Sequence, residues 1–105
     1  MPFKPFFIHF NRPAFKNATS KERHSPRGFT AYISPGTKPR EVSVQATFCS
    51  HRDEFVKKLG RELAMKAEVA QLNPRDLPKL LAAMTEVCQY TANEKMYMYV
   101  LKYVV

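Results

Sequence analysis

The 105-residue chain carries 17 Lys and Arg against 9 Asp and Glu, a net charge of +8, with two cysteines, three glycines and no tryptophan. A chain of this length builds one core and not two, so residues 1–105 are read as a single domain burying roughly two-thirds of its unfolded surface. Two cysteines exclude a disulfide-dense framework and a zinc site made of thiolates alone, and a reducing cytoplasm is the expected setting.

The first apolar run, Phe6 to Ile8, stops at His9. It falls short of the roughly 7–15 residues of a secretory core and of the roughly 20 of a membrane span, so no membrane partner is expected. Phe6–Phe10 is aromatic, β-prone and bracketed by Pro5 and Pro13, the pattern of an edge strand. Residues 11–28 are polar and basic with no useful period, and read as a loop or arm. Phe29–Ser34 alternates, and Glu41–Cys49 alternates again with Val42, Val44, Ala46 and Phe48 on one side. Pro35–Arg40 between them is turn chemistry, so the two runs are expected to pair as a hairpin.

Ser50-x-x-Asp53 resembles a capping box and predicts a helix starting at once. Val56, Leu59, Leu63, Ala67 and Ala70 form its predicted buried stripe. Lys57 and Arg61, four apart, repel each other mildly on that helix and mark a second contact surface. Asp76 is the natural cap of a second helix, with Pro78 in its first turn and a stripe through Leu77, Leu80, Leu81, Met84, Val87, Cys88 and Thr91. Asn93 reads as its stop. The tail, Met96–Val105, alternates tyrosines with apolar residues and predicts a strand inside the sheet. The expected fold class is α+β: two layers, a largely antiparallel four-stranded sheet in the order β-β-β-α-α-β, and two helices on one face.

Cys49 and His51 are the nearest approach to a catalytic pair. A cysteine at a helix start has its thiolate favoured by the dipole, but nothing in the spacing supplies a base and an oxyanion site. The pair reads as the joint between a strand and a helix. The three histidines are scattered, and no phosphate loop or protease signature occurs. No catalytic residue, metal ligand or cofactor is therefore expected.

Charge is the stronger signal. Residues 1–52 hold nine Lys and Arg against Glu22 and Glu41, whereas residues 53–105 hold eight against seven acids. Excess charge of one sign steers ligands of the other. Basic residues interleaved with aromatics suggest phosphate contacts from Arg12, Lys16, Lys21, Arg23, Arg27, Lys38 and Arg40, with Tyr32 as the stacking ring.

The run Thr47–Ala64, with Cys49, Asp53, Phe55, Lys58, Gly60, Arg61 and Ala64, resembles small proteins of tailed bacteriophages that have no assigned activity. The resemblance implies a small accessory or host-modulating protein made in a bacterial cytoplasm, and it assigns no functional residue. Together these features lead to a non-enzymatic nucleic-acid-binding protein, for DNA or RNA. One rival is a modulator docking on an acidic host protein, or pairing with its own copy through an exposed aromatic sheet face. The other is a small toxin-type ribonuclease.

Overall fold

The computed structural model describes residues 3–13 and 24–104. Strands β1 (Phe6–Asn11), β2 (Gly28–Pro35), β3 (Val42–Cys49) and β4 (Ala70–Leu72) form one antiparallel sheet in that spatial order. Helix α1 (Lys57–Lys66) lies between β3 and β4 in sequence. After β4 come a 3-10 turn, Pro74–Asp76, helix α2 (Leu77–Val87), a second 3-10 stretch, Glu94–Val100, and a last helical turn, α3 (Leu101–Val104).

The fold is the α+β antiparallel sheet that the alternating runs predict, with the hairpin at β2–β3 and β1 at an edge. The fourth strand, however, is Ala70–Leu72 and not the tail. Tyr97 and Val100, three residues apart, are buried on one side of the 3-10 stretch, and the Asn93 side chain starts it by accepting from the Lys95 amide at 3.0 Å. Asn93 is thus a start, not a stop. The strong β-propensity of the segment yields to its packing, as such propensity does when context opposes it.

Register fixes the two faces of the sheet. Phe6, Ile8 and Phe10 pair with Ile33, Ala31 and Phe29, which pair in turn with Val44, Ala46 and Phe48. This face meets Leu77, Leu81, Met84, Cys88, Tyr97 and Val100 in one continuous core. Inside it Thr85 Oγ1 bonds both the Leu81 carbonyl and the Tyr97 hydroxyl, so neither buried oxygen lacks a partner. The opposite face carries Phe7 and His9 of β1, Thr30 and Tyr32 of β2, and Gln45 and Thr47 of β3. Helix α1 packs there. The helices therefore cover both faces of the sheet, where the sequence predicts both on one. A small-residue contact makes this work, as the site shows.

Candidate nucleic-acid interface

The strand-to-helix connection is longer than a capping box implies. Ser50 Oγ accepts from the Arg52 amide at 3.2 Å and its carbonyl from the Asp53 amide at 3.1 Å, closing a turn instead of opening a helix. Helix α1 begins only at Lys57, and Val56 before it makes no side-chain cap. The loop wraps the Cys49 thiol, whose Sγ lies 3.5 Å from the Glu54 carbonyl. Burial, with the nearby Asp53 carboxylate, holds the thiol above its ordinary pKa despite Arg27. A thiol in that state is protonated at neutral pH and a poor nucleophile. Cys49 ends β3 and His51 lies in the turn that follows, well before α1 starts at Lys57.

Helix α1 meets the sheet through its smallest residues. Ala64 is fully buried, and a Cβ built on Gly60 would overlap the Thr30 hydroxyl. The predicted stripe is therefore rotated: Leu59 and Leu63 are 49% and 45% exposed along one flank, and Ala70 belongs to β4. Gln45 of β3 donates to the carbonyls of Met65 and Ala67, at 3.0 and 3.1 Å, satisfying the orphan acceptors at the end of α1. Anchored in this way, α1 rises as a wall over β2 and β3. Its other flank, with Lys57 and Arg61, turns toward β1.

Beside that wall lies a row of rings. Phe7 contacts Tyr32, its register partner, with ring centres 4.7 Å apart. Phe7 and His9, two positions apart on β1, are almost parallel at 14° with centres 6.1 Å apart, and Phe55 meets His9 edge-on at 6.2 Å. His9 Nδ1 is 2.9 Å from Thr30 Oγ1, which ties the imidazole to the sheet. Burial and then the Lys57 and Arg61 cations push its pKa below the ordinary imidazole value. At neutral pH His9 is thus an uncharged aromatic surface beside two cations of α1.

The candidate residues fall into separate groups. Arg12 bonds the carbonyls of Pro26 and Ser25 at 3.0 and 3.2 Å, and Arg27 bonds that of His51 at 3.2 Å. Both guanidinium groups thus hold chain connections at one end of the sheet. Lys38 and Arg40 are exposed in the β2–β3 turn at the other end, about 25 Å away by the rise of an eight-residue strand. Lys16, Lys21 and Arg23 lie outside the described residues, as does most of the basic connection. Among the described candidates, Arg12 and Arg27 are joined at that first end, the Arg12 amide donating to the Arg27 carbonyl at 2.9 Å, whereas Tyr32 meets Phe7 and Lys57 and Arg61 act on His9, two β1 residues absent from the sequence-based candidates. The signal for those two was present: alternation in β1 puts them opposite the core face.

Other chemistry has less to stand on. His24 and His51 have ring centres 5.1 Å apart, but among the described residues no group of three or more His, Cys, Asp and Glu can hold a metal ion. No helix among them is long and apolar enough to cross a membrane. The tyrosines expected on an exposed sheet face are instead helical, with Tyr97 buried and Tyr99 and Tyr103 exposed. Against known proteins, the chain matches no family model, no curated protein and no solved structure.

Proposed function

We propose that the chain is a small nucleic-acid-binding accessory protein acting in a bacterial cytoplasm, and that its working surface is the ring row of β1 and β2 beside the Lys57–Arg61 flank of α1. The observation that carries this reading is the convergence of two cations on an uncharged, aromatic patch of a strongly basic chain. Polyphosphate backbones take Lys and Arg, and bases take flat rings; the patch offers both within one surface. Lys38 and Arg40 are the outlying phosphate contacts, reached only by a ligand long enough to span the sheet. Arg12 and Arg27 shape the protein rather than the ligand contact. Phage origin, which the run Thr47–Ala64 suggests, fits a role as an accessory factor and not as an enzyme.

The test is fluorescence anisotropy with labelled DNA and RNA oligonucleotides at about 50 and 200 mM salt. Binding is expected to weaken with salt, and Lys57→Ala with Arg61→Ala should flatten the log–log slope by about 1.4 for a single strand or about 1.8 for duplex DNA. Binding that is unaffected by this double substitution overturns the assignment of the surface. Capture of one acidic protein in nuclease-treated extract, with no oligonucleotide binding at the lower salt, favours the host-protein modulator.

A further inference from the structure

The ring row also bears on which form of nucleic acid fits, an inference that rests on the reading above. A duplex hides the faces of its bases in the stack and offers only edges in its grooves, which are read by elements that protrude into them. Helix α1 does not suit that task. Its outward side mixes Lys58, Glu62 and Lys66, and the neighbouring flank is Leu59 and Leu63, about half exposed. The rings are half-buried on the sheet face, and aromatic side chains beside cations are what unpaired bases stack on.

The cations add a direction. Lys57 and Arg61 stand on one side of the row, on α1, and the free side of β1 is on the other. A groove of about 490 Å³ opens along that side, mostly aromatic and apolar, lined by Phe6, Phe7, Ile8 and His9 with Tyr99 and Tyr103 from the C-terminal helical segment and with Lys4 as its one cation. We infer that the site takes an unpaired strand, its phosphates along the Lys57–Arg61 flank of α1 and its bases turned over His9, Phe7 and Tyr32 toward the β1 groove. The fixed, neutral imidazole serves as part of that floor.

Three probes of equal length separate this from simple charge attraction: a mixed-sequence 20-nucleotide DNA strand, the duplex made from it, and an abasic deoxyribose-phosphate strand with the same number of phosphates. Anisotropy titrations with the full chain should rank the base-bearing strand at least tenfold above both others. Phe7→Leu and Tyr32→Leu, checked for folding by circular dichroism, should each weaken the base-bearing strand by about 5- to 150-fold, the range for losing one stacked base. The same variants should leave the abasic strand unchanged. Equal affinity for all three probes, or variants that weaken the abasic strand as much, would overturn the inference while leaving nucleic-acid binding intact. Failure of every probe, and of an RNA strand of the same sequence, to bind at low salt would remove both.

Discussion

Replacing Gly60 with alanine sets two effects of known size against each other. Gly60 sits in α1 with an ordinary negative φ, so helix propensity alone favours alanine by about 1 kcal/mol. The new methyl, however, would overlap the Thr30 hydroxyl and come within 3.1 Å of the Thr30 Cβ. Thr30 cannot easily give way: it is 2% exposed in a central strand, and its hydroxyl is tied to His9. Overpacking of this kind costs about 1–3 kcal/mol, and the fixed neighbour argues for the upper half of that range. The net expectation is a loss of about 1–2 kcal/mol, with a midpoint about 4–8 °C lower per kcal/mol. Urea and thermal unfolding followed by far-ultraviolet circular dichroism measure it. With Thr30→Ala already in place the obstruction is gone, and Gly60→Ala should then stabilise by up to about 1 kcal/mol. A Gly60→Ala protein more stable than wild type, or an equal effect in both backgrounds, would refute a close α1–sheet contact.

Further expectations follow from single groups. Gln89 ends α2 with φ of 57°, a left-handed conformation that disfavours a side chain; Gln89→Gly should raise stability by about 0.5–1 kcal/mol in urea melts, and a loss would refute it. Burial lifts both thiols, Cys88 to about 11, so at pH 8 a thiol reagent should reach Cys88 only after unfolding, with Cys49 reacting slowly before that. Fast native labelling of Cys88 would contradict the packing. His9 has a folded pKa below its unfolded value of about 6.5, so unfolded chains take up its proton first. The stability it lends is present above about 6.5 and is lost as pH falls through the folded pKa. Urea midpoints from pH 7.5 to 5.5 should therefore drop less for His9→Gln than for wild type, and equal drops would sink this assignment.

Much of the sheet was legible because its strands obey period two. β1, β2 and β3 fall where alternation and flanking prolines put them, and the register reproduces the predicted core side of β3. Helix α2 was legible too: Leu77, Leu81, Met84 and Cys88 of its predicted stripe are buried, whereas Leu80 is half-buried and Val87 and Thr91 are exposed. The errors share a cause: long-range packing that no local pattern carries. Leu59 and Leu63 look like the buried stripe of α1, but only Gly60 and Ala64 are small enough to let the helix sit on Thr30. Ala70–Leu72 is too short for a period; it becomes a strand because β3 offers an edge, where Gln71 Nε2 reaches Ser43 Oγ at 2.7 Å. Of the proposed binding surface, charge identified Lys57 and Arg61 and alternation identified Tyr32. Phe7 and His9 were marked by alternation in β1 as facing away from the core, but their pairing with Tyr32 and Thr30 needed the register of β1 against β2.

The ring row as a ligand surface is most directly tested by amide chemical-shift mapping. The isotope-labelled protein is titrated with an unpaired 20-nucleotide strand, and shifts are read residue by residue. If the surface is correctly assigned, the largest changes fall together on Phe7, His9, Tyr32, Lys57 and Arg61, and they fade as salt is raised. Changes confined to the Lys38–Arg40 turn or to Tyr99 and Tyr103, with the ring row silent, would contradict it.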